Sequence, residues 1–460
     1  MQNFLSLDRI EPKKRLVGER VKDFDEVYKV FDKVEAKNQS ERCVQCGDPY
    51  CMTKCPLHNF IPQWLKAIAD TNLELAFKLS NESSPFPEIM GRVCPQDVLC
   101  EGDCTLNDGH GAITIGSVER YITEKGFKKG FEIEFKKDKL GKSVGIVGSG
   151  PAGLSLATYL LRAGVDVTIY ERDSKAGGLL TYGIPGFKLD KNVVQKRVEL
   201  LQEAGLILKT NCEVGKDISF KELSENHDAS FIGIGSTKSK KVGVENEDSD
   251  GVYMAMEFLS NIQKKIFGEK LEQNIDVKGK NVIVVGGGDT AMDCIRTSIR
   301  EGAKSVTCHY RRDSKNMPGS YKEYRNSVEE GADFEFYSTP KAISVENGKV
   351  IGITFAKTEL SEADESGRQR VIEIKESEEN VESDIIIMAL GFSPEVPNFL
   401  SENGVSTNSW GGIVISETGE TSSNGVYSGG DATRGADLVV RAAYDGREIA
   451  KNILKSFEIN

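Results

Sequence analysis

The sequence predicts an α/β chain: a small helical region first, then two parallel-sheet domains. Seven of the ten cysteines fall between Cys43 and Cys104, so the first part of the chain has chemistry of its own. A strand, a glycine-rich turn, a helix and a second strand then follow one another from Ser143, and the same succession recurs from Asn281. A length of 460 residues allows two to four domains with a large buried core. Hydrophobic residues at 38% and charged residues at 28% are ordinary for a globular protein. A net charge of −12 argues against nucleic acid as the main partner. No apolar run approaches the roughly 18 residues of a membrane helix. Met1 to Arg15 carries early charges and no apolar leader segment, which predicts a cytoplasmic protein. No solenoid-type repeat is present.

The cysteine run is Cys43-x2-Cys46-x4-Cys51-x3-Cys55-Pro56, followed by Cys94, Cys100 and Cys104. Thiolates at such spacings can fold round one compact inorganic centre. A terminal Cys-Pro is found where the fourth thiolate serves a neighbouring iron–sulfur cluster. Four residues rather than two separate Cys46 from Cys51, so the run departs from the bacterial ferredoxin pattern. Structural zinc would need closed sets of four thiolate or imidazole ligands; only His58 and His110 are near, neither at zinc-finger spacing. Disulfides belong to small secreted domains. Iron–sulfur clusters are the reading that remains. Two cubanes need eight ligands, so seven thiolates leave one position for another residue type, or one cluster short of a corner.

Taken in order, Val21, Phe24, Val27, Val30, Phe31 and Val34 fall at helical spacing and predict a helix over Val21 to Lys37. Ile61 to Ala69 and Leu73 to Leu79 predict two more, the second broken at Ser83-Ser84-Pro85-Phe86-Pro87. The first part thus reads as helices wrapped round metal centres, with little regular core of its own. Ser143 to Val147 is a short buried strand, followed by Gly148-Ser149-Gly150-Pro151-Ala152-Gly153, a helix over Leu154 to Ala163, a strand over Val165 to Tyr170, and Glu171. That is the dinucleotide fingerprint with all its parts. Gly148 permits the turn, Gly150 lets backbone approach a pyrophosphate, Gly153 lets the helix lie close to the sheet, and Glu171 can take ribose hydroxyls.

The second turn is Gly286-Gly287-Gly288-Asp289-Thr290-Ala291, after the strand Asn281 to Val285, with Ala291 in the place of the third glycine. A helix from Thr290 to about Arg300 and a strand over Ser305 to Tyr310 complete it. The acid is missing there; Arg311 and Arg312 stand at the strand end, suited to a 2′-phosphate, so NADPH is read over NADH. Glu359 to Asp384 is dense in charge and reads as an exposed hairpin on this second domain. Ile385 to Ala389 is a buried strand left by Gly391-Phe392-Ser393-Pro394. A strand and turn over Gly425 to Asp431 feed a helix over Leu438 to Leu454. Gly178, Gly430 and Asp431 join the candidate cofactor-binding residues. Cys212, Cys294 and Cys308 read as buried core thiols.

Cys43 to Pro56, Gly91 to Pro95, Cys100 to Cys104, Gly148 to Gly153, Gly286 to Asp293 and Gly429 to Thr433 together resemble the small (β) subunits of bacterial NADPH-dependent glutamate synthase. Those belong with the pyridine-nucleotide flavoprotein reductases that carry an N-terminal two-cluster domain. The resemblance implies an N-terminal helical 4Fe-4S domain (1–138) and an FAD domain in two parts (139–250 and 393–460). An NADPH domain (251–392) would be inserted between them, and both nucleotide domains would be Rossmann-like. It implies one cluster on Cys43, Cys46, Cys51 and Cys104, and a second on Cys55, Cys94 and Cys100 completed by Glu119. It also implies a partner, the FMN-containing large (α) subunit that makes glutamate from glutamine and 2-oxoglutarate. A nicotinamide gives electrons in pairs and a cluster takes them singly, so flavin has to lie between them. No Ser-His-Asp constellation is present, and no catalytic side chain is expected. The competing readings are the reductase module of another complex (ferredoxin–NADP or dihydropyrimidine type) and a stand-alone NADPH:acceptor oxidoreductase.

Overall fold

The computed structural model describes residues 3–271, 273–364 and 369–459. Met1 and Gln2 of the leader reading, and residues 365–368 of the charged stretch, lie outside them.

The N-terminal region is helical but not where periodicity places its first helix. Val21 to Asp32 forms no helix; a nine-residue helix, Lys33–Glu41, begins only after Asp32. Asp32 accepts hydrogen bonds from Val34 N and Glu35 N while Glu35 reaches back to Asp32 N, a capping box that sets the start. Upstream, long-range contacts override the helical spacing. Arg15 N donates to Val27 O at 2.9 Å, Val27 N to Phe187 O at 3.1 Å, and Phe24 stacks on Phe187. The segment is a strap laid across the rest of the molecule.

The expectation of little core is also corrected. Trp64, Ile68, Phe77, Val118 and Ile122 are buried together where helices Ile61–Ala69, Leu73–Ser83 and Ile115–Lys128 meet. The second of these runs four residues past the predicted Leu79, started by the Asn72 side chain accepting from Leu75 N at 3.0 Å and stopped before Pro85.

Two five-stranded parallel sheets follow. We label the strands β1 (Ser143–Val147), β2 (Asp166–Tyr170), β3 (Ile207–Lys209), β4 (Ala229–Ile232), β5 (Lys238–Ser239), β6 (Val252–Met254), β7 (Asn281–Val285), β8 (Ser305–Tyr310), β9 (Asp333–Phe336), β10 (Ser338–Glu346), β11 (Lys349–Leu360), β12 (Val371–Glu373), β13 (Glu379–Glu382), β14 (Ile385–Met388), β15 (Phe392–Ser393) and β16 (Val426–Ser428). The first sheet has the order β16-β4-β1-β2-β3 and the second β6-β14-β7-β8-β9. The last strand of the chain therefore completes the first sheet, and the second sheet is an insertion. The chain crosses twice between them, and the two crossings pair as β5 with β15. β10, β11, β12 and β13 form an antiparallel sheet on the inserted domain, in which β12 and β13 of the charged stretch each pair with β11.

The three parts meet round one buried carboxylate. Glu330 accepts from Arg296 (2.8 and 2.9 Å), Arg300 (2.6 Å) and Arg20 (2.9 Å), and all four side chains are essentially buried. The Arg296 and Arg300 guanidiniums lie 4.3 and 4.1 Å from the centroid of the Phe187 ring. Strap, first nucleotide domain and inserted domain are thus tied at a single point. Burial pushes the Glu330 carboxyl up, but the bonds from Arg296 and Arg300 outweigh it and bring it down to about 2. Replacing it by Gln strands cationic side chains in the interior, at a cost of about 3–5 kcal/mol. Because the folded value lies below the ordinary 4.5, that contribution is complete above about pH 4.5 and drains away as the pH falls through about 2. Urea unfolding of Glu330→Gln beside the parent should show this gap at pH 7 and a closing gap in acid; a constant gap would mean packing, not charge, is responsible.

Candidate functional site

At the first turn, Gly148 has φ +92° and a Cβ there would stand 2.6 Å from Gly233 O, so only glycine serves. Gly153 carries the helix Pro151–Ala163 against Ile146, whose Cγ2 a Cβ would meet at 3.2 Å. Gly150 is different. Its φ is −66°, open to any residue, and nothing lies within 4 Å of a Cβ built on it. The protein itself does not demand glycine at that position; a molecule lying against the helix N-terminus would. Gly178, at φ +52°, closes the same cradle, its Cβ position 3.0 Å from Gly150 Cα.

Glu171 ends β2 as expected, but three acceptor positions are already filled. Oε2 takes Ser149 N at 3.0 Å and Ser149 Oγ at 2.5 Å, and Oε1 takes Asp173 N at 2.8 Å. It braces the turn and keeps little capacity for a ribose. Asp431 is the converse. Burial pushes its carboxyl up to about 7, and its Oδ1 has no partner among the described residues. It is held in place by Gly430, whose N–H donates to Asp445 Oδ2 at 2.7 Å.

At the second turn Gly286 has φ +150° and its Cβ would run into Ala389. Gly288, at φ −92°, again faces open space. Sequence reasoning missed the loop over it: Gly319 N donates to Gly287 O and Ser320 N to Asp289 Oδ1, at 3.0 and 3.1 Å. Ala291 is buried behind the turn. Arg311 is exposed, and Arg312 Nη2 donates to Gln369 O at 3.2 Å.

One cavity of about 1370 Å³ is lined by Gly148, Gly150, Pro151, Ala152, Glu171, Gly178, Gly288, Asp289, Thr290 and Asp431. A single ligand site usually measures about 300–1,000 Å³, so there is room for two dinucleotides. Gly153, Gly286, Ala291, Gly430, Arg311 and Arg312 do not line it. Lys188 and Asp293, neither foreseen, face each other in the cavity at 3.0 Å, the first from the FAD-side domain and the second from the inserted one. Cys294 and Cys308 are buried as expected, whereas Cys212 is half-buried and borders this cavity.

The seven clustered thiols separate into two electrostatic groups. Burial first, then the charge of Cys104 and Cys46, pushes Cys43 up to about 11; burial and then Cys104, Cys43 and Cys46 push Cys51 up to about 12. Cys94 and Cys100 are raised well above the ordinary value by burial, and then by neighbours that include Cys55 and Glu119. Cys55, Cys94, Cys100 and Glu119 line one small cavity. Among the described residues no three such groups converge closely enough for a single ion. A cubane spreads its ligands over four corners. Glu119 is 6% exposed, pushed up to about 8 by burial although Asn59 Nδ2 donates to it at 2.7 Å. A buried carboxyl and three thiols, of which only Cys55 feels a cation, the guanidinium of Arg447, suit a group that brings more positive charge.

A helical thiolate domain joined to two dinucleotide cradles defines the class: a pyridine-nucleotide oxidoreductase with an iron–sulfur domain. Residues 142–446 match the family model described as pyridine nucleotide-disulphide oxidoreductase, and residues 20–131 match dihydropyrimidine dehydrogenase domain II, 4Fe-4S cluster. The chain is 46% identical to the glutamate synthase (NADPH) small chain of Escherichia coli (strain K12), over 99% of its own length and 98% of that protein. The small chain from Azospirillum brasilense is 43% identical over 98% of this chain and 95% of that one. AegA of Escherichia coli, which carries an oxidoreductase name, is 46% identical over 97% of this chain and 69% of that one. The chain belongs to the glutamate synthase (NADPH) small-chain family. FprA from Mycobacterium tuberculosis shares the fold, at 19% identity and a TM-score of 0.59 over 69% of this chain and 85% of that one.

Gly150→Val should fold like the parent, because no protein atom lies within 4 Å of the Cβ it adds, and should be purified without flavin absorbance. Gly288→Val should keep the flavin and lose its reduction by NADPH. Flavin retained by Gly150→Val would show that the cradle holds something else.

Proposed function

We propose that this chain is the electron-input subunit of a glutamate synthase: it oxidises NADPH and delivers the electrons to an FMN-containing large subunit that makes glutamate from glutamine and 2-oxoglutarate. When bound, FAD would accept electrons from NADPH in pairs as hydride, and the two 4Fe-4S clusters would carry them onward singly. The observation that carries this reading is a shared wall. Cys94, Gln96 and Val440 line both the large nucleotide cavity and the small thiol cavity. The set Cys55, Cys94, Cys100 and Glu119 is therefore the one next to the flavin side, and Cys43, Cys46, Cys51 and Cys104 are the outlet.

The residues divide the work. Gly150 and the N-terminus of Pro151–Ala163 would receive the FAD pyrophosphate, and Asp431 would hold hydroxyls of its ribityl chain or ribose. Gly288, Asp289 and Thr290 would receive the NADPH pyrophosphate, with Arg311 and Arg312 reading the 2′-phosphate. The Lys188–Asp293 pair bridges the two halves where the rings would meet. Glu119 would complete the inner cluster. Residues 1–138, 139–250, 251–392 and 393–460 are taken as domain limits, supported by β6 entering the second sheet at Val252 and β16 returning to the first at Val426. The chain is placed in the cytoplasm, where free thiolates persist; among the described residues no helix is long and apolar enough to cross a membrane. The likeness to AegA keeps a second reading in view, that of an NADPH:acceptor oxidoreductase with another partner.

Purified chain should reduce artificial dyes with NADPH and form no glutamate; adding a large subunit should produce NADPH-dependent glutamate. Glutamate from the chain alone would overturn the assignment, and dye reduction with no coupling to any large subunit would favour the second reading. Replacing Arg311 and Arg312 together by Ala removes two charge-assisted contacts. It should raise KM for NADPH at least about tenfold and leave KM for NADH nearly unchanged; equal changes would refute the phosphate role.

A further inference from the structure

Two donors at the inner thiol cavity have no partner. Trp64 Nε1 and Ser84 Oγ are fully buried and meet no acceptor among the described residues, and both residues line the cavity of Cys55, Cys94, Cys100 and Glu119. They come from separate elements, Trp64 from the helix Ile61–Ala69 and Ser84 from the break after Leu73–Ser83. Interiors leave few polar groups unmatched, and one that is left needs an explanation. The neighbouring amides at the same cavity are engaged: Asn59 donates to Glu119 at 2.7 Å and accepts from Ser83 Oγ at 2.8 Å, and Gln96 Nε2 donates to Gly91 O at 3.3 Å. An indole N–H and a hydroxyl thus belong to two residues that line one space, and neither bonds any acceptor of its walls among the described residues.

We propose that Trp64 and Ser84 donate hydrogen bonds to sulfur of the cluster held by Cys55, Cys94, Cys100 and Glu119, and thereby raise its reduction potential. The proposal rests on the cluster reading given above. A cluster brings anionic sulfur acceptors, where the only sulfur of the bare cavity is thiol and thioether, which accepts weakly, and the carboxylate corner makes the demand specific. A hard anionic ligand and deep burial both disfavour adding an electron. Hydrogen bonds to sulfur favour the more negative, reduced state and offset them. The outer set has its own device, Gln45 Nε2 donating to Cys43 Sγ at 3.3 Å, so changes at Trp64 and Ser84 address one cluster only.

The test uses anaerobically purified full-length chain carrying Trp64→Phe, Ser84→Ala or both, with iron content, EPR-monitored redox titration, and resonance Raman spectra in H2O and D2O. The double variant should hold as much iron as the parent. The reduction equilibrium of one cluster should move at least tenfold toward the oxidised state, which is about 59 mV for a one-electron couple. The other cluster should stay in place. The deuterium shift of the parent's iron–sulfur bands should shrink in each variant. Unchanged midpoints and an unchanged isotope shift at full iron content would overturn the proposal, as would equal movement of both midpoints. Should Trp64→Phe lose iron, Ser84→Ala decides alone by the same two readouts. An iron count in the parent well short of about eight would instead remove the cluster reading itself.

Discussion

The packing of the helix Val439–Ser456 on the helix Pro151–Ala163 is the contact on which the rest of the molecule depends. Gly446 is what lets the two approach: a Cβ there would stand 2.9 Å from both Leu156 N and Ser155 Cβ. Ser155 Oγ donates across the contact to Ala443 O at 2.6 Å. One turn further, Arg447 Nη1 donates to Leu57 O and Ser83 O, at 2.8 and 2.9 Å. The helix that completes the first nucleotide domain thus also grips the loops that present Cys55 and Ser84. Val440, at its start, is part of the wall between the two cavities. A shift of this helix would move the flavin cradle and the inner thiol set together, so their spacing is a property of the fold.

The two ends of the chain's chemistry are stabilised in opposite ways. In the nucleotide cradles the needed charges come from backbone, from helix N-termini and from glycines at which open space is kept. Around the inner thiols the chain supplies mainly acidic groups, with Arg447 the cation that acts on Cys55. Burial favours the protonated forms of Cys94, Cys100 and Glu119, and Asn59 donates to that carboxylate. Ionising them requires a compensating cation, so a metal centre bound there would release protons as it binds. The aromatic and aliphatic core of Trp64, Ile68, Phe77 and Ile122 keeps the surrounding helices in place independently of that event.

Much of this was legible because it is local. A glycine at a turn, a buried strand and a cysteine spacing are stated by adjacent residues, and both fingerprints lie where the letters put them. The failures share a cause, which is contact between distant segments. Val21 to Lys37 has helical periodicity, yet Val27 bonds Phe187 and Val21 to Asp32 forms no helix; only Asp32 and Glu35, a recognisable capping pair, carried the true start. Glu171 matches the ribose acid by position, but the sequence does not say that Ser149 will occupy it. Gly319, lying against the second turn, carried no signal at all. The cysteine spacing pointed to a centre and the resemblance implied how its ligands divide; what the fold adds is that Cys104 lies near enough to act electrostatically on Cys43 and Cys51.

The way the three parts are joined follows their duties. Leu57, Phe86, Ile89, Met90 and Leu99 of the first part are buried in the same apolar cluster as Leu154, Leu160, Val440 and Ile453 of the first nucleotide domain. A continuous close-packed core has few alternative arrangements, and it fixes the distance between flavin cradle and thiol set. The inserted domain keeps a core of its own, around Phe258, Ile262, Val284 and Ile295. It meets the others through ions, Glu330 with Arg20 and Lys188 with Asp293, and through single aromatic contacts, such as Phe24 against its core and Tyr182 against Phe267. Charged contacts tolerate only particular geometries, so they register the donor domain against the acceptor without merging the two. Electron carriers need constant spacing, whereas a nicotinamide must enter and leave. The chain places its shared apolar core at the first junction and its paired charges at the second.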